Sequence, residues 1–247
     1  MRFGMVAMRS LLDRPLVDGM VQMRKVMLLD TAPIEHLSGA WGPMGALAGS
    51  DGSARHPHLR ALRAGALPRR DLADAVHHLA RLHGRHPGLV DYAAGHAQGP
   101  VECEWLEAAA DAFVAERSYL VRLVAAAGPL PSTPGHAESE AAAAAQRHAL
   151  DMLAQSDRSG CATGAAVALA VDWIAIRAVL DRAAGSFGID PTPARLPIPE
   201  ETVSVVDALA REAAHERAML FGAQQLFAQH RGLWDLLEAR ASARSRG

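Results

Sequence analysis

The sequence is poor in lysine, cysteine and aromatic residues, and each shortage narrows the class of protein. Lys25 is the only lysine, so arginine carries nearly all the positive charge, as expected of an alanine-rich chain from a high-GC genome. The formal net charge is -2, and no basic stripe is interleaved with aromatic residues, so nucleic acid is not predicted as a partner. Cys103 and Cys161 form neither a C-x-x-C pair nor a zinc-type spacing, which predicts free thiols in a reducing, cytoplasmic compartment.

Long apolar runs are also missing. The most apolar uncharged run, residues 159–171, is shorter than the ~20 residues that a membrane-spanning helix needs, so no membrane contact is predicted. Arg2, Arg9 and Arg14 interrupt the N-terminal segment before a signal-peptide core could form. This segment is rich in methionine, which indicates a later start of translation near Met23 or Met27. We therefore expect residues 1–27 to be disordered or to precede the true start.

Alanine is abundant, whereas β-branched and aromatic residues are few, which favours helices over strands. Apolar residues recur at helical spacing in four long segments: 100–127, 136–155, 161–183 and 200–230, the last with an extension to 240 after a break at Gly232. Short connectors favour antiparallel neighbours. The sequence therefore predicts an all-α protein whose residues 100–240 form an antiparallel four-helix bundle.

The residues outside this bundle are predicted to be less regular. Residues 28–99 contain several helix starts and stops, including Gly42-Pro43 and a better helix over 71–83, and we expect them to form a helical subdomain of short helices packed on the bundle. Residues 241–247 are predicted to be a frayed, disordered basic tail.

Each predicted bundle helix carries a metal-competent side chain on its apolar stripe. These are Glu116, His148, Asp172 and the Glu-x-x-His pair Glu212 and His215. Residues three apart share a helix face, and counting ~1.5 Å of rise per residue puts all five within about one turn of a common level. Because buried charges are usually paired or bound to metal, this layer is the first candidate site.

The layout resembles the ferritin-like di-iron carboxylate bundles, in which two helices each supply a Glu and two each supply Glu-x-x-His. By this resemblance, Glu116 and Asp172 match the lone carboxylates, His148 matches the first histidine, and Glu212 with His215 matches the second pair. The chain departs from the pattern in two ways. Ala145 replaces the first pair's Glu, for which Asp151 is the available substitute, and the short connector before residue 161 lacks the usual crossover.

The resemblance implies bound iron or manganese and an oxidoreductase or hydroxylase that acts on an organic substrate. The residues expected around the metal ligands are Tyr119, Gln146, Asp151 and Trp173. The chain also resembles an uncharacterised family of high-GC alphaproteobacteria, and that resemblance implies no activity.

Two alternatives stay open from the residues themselves, and with them the question of whether the protein is an enzyme. The same polar groups could pair with each other, as a structural layer in a non-enzymatic interaction protein. The bundle could also bind a small molecule, with the N-terminal helices as its lid. The oligomeric state is equally open, with a homodimer among the alternatives.

A second candidate site lies in the segment around residue 85. His83, Arg85 and His86 stand close together at the end of the helix predicted over 71–83 and could contact a metal or a phosphate. Histidines at the end of a helix are also common partners of the helix dipole.

Overall fold

A computed structural model describes residue 39 and residues 41–246, and within that part of the chain all regular structure is helical. The predicted all-α class is confirmed. The predictions for residues 1–27, and for Gly247, lie outside the described residues. The helices are α1 (Trp41–Asp51), a 3-10 turn (Ser53–Arg55), α2 (Pro57–Ala64), α3 (Arg69–His83), α4 (Leu89–Gly95), α5 (Pro100–Ala127), α6 (His136–Ala154), α7 (Cys161–Phe187), α8 (Pro199–Leu209) and α9 (Ala213–Arg246).

Helix α7 lies at the centre of the fold. It packs against α9 most extensively and also against α2, α3, α4, α5 and α6. Gly164 and Gly222 allow the close approach of α7 and α9, because a Cβ at Gly164 would collide with the carbonyl oxygen of Met219, and one at Gly222 with that of Cys161. The two helix backbones are therefore in direct contact at this crossing.

The same helix has the length and composition of a membrane span. Cys161–Phe187 has a mean hydropathy of 1.7 over its most apolar window, and 83% of that window is buried inside the protein. The apolar part of this helix is therefore longer than the uncharged apolar run 159–171. Because the surrounding helices cover its apolar surface, core packing accounts for that composition.

A closed four-helix bundle is not confirmed. Helix α5 packs on α3, α4, α7 and α8, whereas α6 packs on α9, α4, α3 and α7. The reason lies in α6, which buries only Ser139, Leu150, Leu153 and Ala154 and so offers too little apolar surface for a bundle face. The short N-terminal helices supply that surface, and they share one hydrophobic core with the long helices.

The C-terminal part differs from its prediction in where the helix breaks and in where it ends. The predicted fourth helix is interrupted at residues 210–212, between α8 and α9, and runs without a break through Gly232, which faces Gln146. The prediction of a disordered tail from residue 241 is wrong for residues 241–246, which continue α9. Arg244 explains this extension, since its buried guanidinium forms ion pairs with Asp71 (2.7 Å) and Asp74 (2.6 Å).

Candidate functional site

The five predicted metal ligands do not come together. Glu116 and Asp172 are buried, as expected, but His148 and Glu212 are exposed, and the expectation that these two face inward is wrong. His148 lies opposite the face of α6 that buries Leu150 and Leu153. Glu212 lies in the break before α9. His215 is half-buried beside the Gly160 turn, with Nδ1 3.4 Å from the hydroxyl of Ser159.

Glu116 belongs to an ion-pair network rather than to a cluster of ligands. Its carboxylate accepts hydrogen bonds from Trp173 Nε1 (2.9 Å) and Arg177 Nη1 (2.5 Å). Arg177 also donates to Asp181, which accepts a hydrogen bond from the hydroxyl of Tyr119 at 2.9 Å. Burial, with the negative charge of Asp181, raises the pKa of Tyr119 above its ordinary range. Two residues predicted to surround a metal, Tyr119 and Trp173, thus serve this network.

Asp172 belongs to a second, separate network. Its carboxylate accepts hydrogen bonds from the backbone N–H of Ser53 (2.7 Å), from the Ser53 hydroxyl (2.5 Å) and from Nδ1 of His230 (2.6 Å). His230 Nε2 lies 2.9 Å from Nε2 of His83. We call the chain Asp172–His230–His83 the relay. Sequence reasoning missed His230, although it lies on the apolar stripe of α9 between Phe227 and Trp234, and that position was a usable signal.

Metal-type spacing occurs once in the described part of the chain, at His56, Asp235 and Glu238. His56 Nδ1 accepts a hydrogen bond from the backbone N–H of His58, so in a neutral ring the hydrogen is on Nε2. That Nε2 lies 3.0 Å from Asp235 and donates to it. A metal would need the lone pair of this nitrogen, so the cluster fits a hydrogen-bonded surface pair better than a metal site.

The three residues of the second candidate site line one cavity of about 150 Å³. Its walls come from the end of α3, the segment 84–88, α4, α5, α6 and α7, with the apolar residues Leu89, Val90, Phe113 and Leu169 among them. The charged and titratable side chains in the lining are His83, Arg85, His86, Tyr92, Arg117, Arg147 and Asp151. Of the residues predicted around a metal, Asp151 lies here, whereas Gln146 is half-buried elsewhere on α6.

The cavity lining carries more positive than negative charge. Arg117 is neutralised by Asp91, to which it donates through Nη1 (2.8 Å) and Nη2 (3.1 Å). Arg147 is only loosely paired, with Nε 4.0 Å from Asp151. Arg85 has no ion pair with any residue that the structure describes. Three arginines against two carboxylates leave a local excess of one positive charge, in a protein whose formal net charge is -2.

His83 joins the cavity to the relay. The residue is buried, with 8% of its surface exposed, and its ring packs edge-on against Trp173 with the ring centroids 5.3 Å apart. Burial, together with the neighbouring His230, holds the pKa of His83 well below its ordinary value of 6.5. The ring is therefore neutral at neutral pH, with one nitrogen able to accept a proton.

The fold and the cavity define a class, an all-α protein with a buried polar relay that ends at a cationic cavity. The chain belongs to a Family of unknown function (DUF6975), whose model matches residues 48–245. That range includes every residue of the cavity and of the relay. No curated protein and no solved structure matches the chain.

Proposed function

We propose that the protein binds a small anionic molecule, a phosphate or a short carboxylate, in the cavity that His83, Arg85 and Arg147 line. The excess of positive charge in the lining is the observation that carries this proposal. Arg85 has no described partner and Arg147 has only a loose one, so both guanidiniums are available to a ligand. Arginine is well suited to this task because its planar fork of N–H donors matches carboxylate and phosphate oxygens.

The size of the cavity limits the ligand. An engineered cavity of about 150 Å³ holds one benzene molecule, so a ligand on the order of six heavy atoms fits here. Ligand sites commonly combine apolar walls with a few polar groups that fix orientation. Leu89, Phe113 and Leu169 supply such walls, with Arg85 and Arg147 as the polar groups.

This proposal follows the small-molecule alternative rather than the metal-dependent oxidoreductase. The latter has less support, because His148 and Glu212 are exposed and the buried Glu116 is paired with Arg177. The N-terminal helices take part in the proposed site as walls of the cavity, through the end of α3 and the start of α4.

Calorimetric titration of the full chain with inorganic phosphate and with acetate, at constant ionic strength, tests the proposal. We expect the wild type to bind at least one of the two anions. Arg85→Gln and Arg147→Gln should each raise the Kd about fivefold, the range of a partly exposed charge pair, and the double variant on the order of twentyfold if the sites add.

Arg63→Gln is the matched control, because Arg63 is exposed on α2, away from the cavity, and has no described ion pair. It should leave the Kd unchanged. A wild type that binds neither anion would overturn the proposal. So would an equal loss of affinity in the control and in Arg85→Gln, since the effect would then reflect net charge alone.

A further inference from the structure

We propose that His83 is a general base of the cavity and that the proton's positive charge is passed along the relay to His230, beside Asp172. The inference rests on the proposed function, because a base acts only on a ligand in the cavity. It goes beyond binding, since it makes the protein an acid–base enzyme whose substrate is a small anion that bears a removable proton.

Hydrogen-bond directions can be assigned from the inner end of the relay. Trp234 Nε1 can only donate, and it does so to the hydroxyl oxygen of Ser53 at 2.8 Å. The Ser53 hydroxyl must then use its own hydrogen on Asp172. Asp172 therefore only accepts, and the third contact to its carboxylate, from Nδ1 of His230, requires a hydrogen on that nitrogen.

The same logic continues outward to the cavity. In neutral His230 the hydrogen on Nδ1 leaves a lone pair on Nε2. The 2.9 Å contact between the two Nε2 atoms then requires that His83 donates from its Nε2. His83 is left with its lone pair on Nδ1, which has no partner among the described residues. The fold thus selects the tautomer in which His83 presents a proton acceptor.

A lone buried histidine would be a weak base, because burial disfavours the imidazolium ion. The relay offsets this effect, because it moves the positive charge from His83 to a histidine beside a carboxylate. A proton leaves the ligand and bonds to His83 Nδ1, the hydrogen on His83 Nε2 passes to His230 Nε2, and His230 becomes an imidazolium that still donates from Nδ1 to Asp172. The net change is one proton transferred from the ligand to His230, whose charge is paired with a carboxylate at 2.6 Å.

The charges that face His83 from the cavity favour the same outcome. Positive side chains disfavour an imidazolium at His83 itself and stabilise the more negative ligand that remains after deprotonation. Both effects favour the state in which His230, and not His83, carries the positive charge. The titratable and charged groups around His83 are His230 and Asp172 on the inner side and, in the cavity lining, Arg85, His86, Tyr92, Arg117, Arg147 and Asp151.

The test is nitrogen NMR of the full chain labelled at histidine, with inorganic phosphate as the probe, because phosphate is an anion that carries a removable proton. His83→Gln and His230→Gln spectra assign the signals. In the free wild type we expect hydrogens on His83 Nε2 and on His230 Nδ1 only. With phosphate bound at a pH where free phosphate keeps its second proton, we expect His230 to carry hydrogens on both nitrogens, while phosphorus NMR shows the bound phosphate as the dianion.

Asp172→Asn should retain phosphate binding and lower the population of doubly protonated His230 at least tenfold. If that variant does not fold, Ser53→Ala replaces it. Without the Ser53 hydroxyl, the hydrogen bond from His230 is the remaining side-chain contact of the Asp172 carboxylate, so the population of doubly protonated His230 should rise.

Each result has one meaning. Phosphate that binds while both histidines stay neutral overturns the general base and leaves the binding function standing. A hydrogen on His83 Nδ1 in the free protein, or no effect of either variant, also overturns the general base. A wild type that binds no phosphate and no acetate overturns the binding function, and the base with it.

Discussion

Two buried polar clusters in different parts of the fold differ in how their charges are paired. One, here called the clamp, joins Asp71 and Asp74 of α3 to Arg240 and Arg244 of α9, so that two carboxylates meet two guanidiniums. The other is the relay, in which the carboxylate of Asp172 is followed by the rings of His230 and His83. The clamp balances its charges internally, whereas the relay ends at a nitrogen without a described partner beside a cavity. A balanced cluster holds helices together, and a cluster that ends at a cavity can exchange a proton with a ligand.

The clamp is expected to contribute far more to stability than the relay. Replacing Arg240, which is almost fully buried, by methionine removes its hydrogen bonds to Asp74 and leaves Arg244 as the remaining guanidinium that pairs with this carboxylate. Because Arg244 still pairs with Asp74, we expect a loss of about 3 kcal/mol, the lower end of the range for breaking a buried ion pair. Urea unfolding followed by circular dichroism measures the loss.

Arg246→Met is the matched control, because Arg246 is exposed on the last turn of α9. It should change the free energy of unfolding by less than about 0.5 kcal/mol. Similar losses in the two variants would show that the clamp is not a special contact and would remove the contrast with the relay.

The two clusters should also respond to acid in different pH windows. Hydrogen bonds from His78, Arg240 and Arg244 hold the pKa of Asp74 below its ordinary value of 3.8, despite its burial, so its contribution is lost only as pH falls below about that value. The pKa of His83 is also lowered, from 6.5, so the unfolded chain binds the proton more readily and stability begins to fall below about pH 6.5.

Urea unfolding between about pH 4 and 7 isolates the His83 window, because the contribution of Asp74 is lost only below its ordinary pKa of 3.8. One such histidine contributes a slope of about 1.4 kcal/mol per pH unit at most. His83→Gln should reduce the slope near pH 6, while Arg246→Met should leave it unchanged. A slope that His83→Gln does not alter would contradict the neutral, buried state of this ring.

The smallest expected effect is that of His83→Gln on stability near pH 7. Glutamine can still donate to His230 Nε2, so no buried acceptor is left unpaired and the loss should be below about 1 kcal/mol. Thermal unfolding at pH 7 checks this. A loss as large as that of Arg240→Met would instead make the relay a structural element of the same kind as the clamp.

Local signals account for the parts of the fold that were predicted well. Pro100, the proline-rich segment 129–134 and the Gly160 turn mark helix boundaries by their own backbone chemistry, and α5, α6 and the start of α7 lie where those signals place them. The break at residues 210–212 carries no proline or glycine, so it was not predicted. Gly232 was predicted as a break, yet packing against α6 keeps α9 continuous there.

The candidate site was predictable in pieces but not as a whole. Asp172 was recognised as the one charge in an apolar stretch, and His83, Arg85 and His86 as a cluster along the chain. The partners of Asp172 are Ser53 and His230, which are 119 and 58 residues away. No spacing rule connects such positions, so the predicted ligand set joined Asp172 to residues that the fold does not bring near it.

The sequence by itself therefore determined the helical class, most helix boundaries and the presence of polar residues such as Asp172 in apolar segments, because these depend on composition and on neighbours a few residues away. The tertiary structure alone decided which of those polar residues meet. The first half of helix α7 is apolar on all sides and seven other helices pack against the helix, so small differences in packing decide which face of each is turned inward. This packing brings His230 to Asp172, leaves His148 exposed, and places His83 beside both His230 and the cationic cavity.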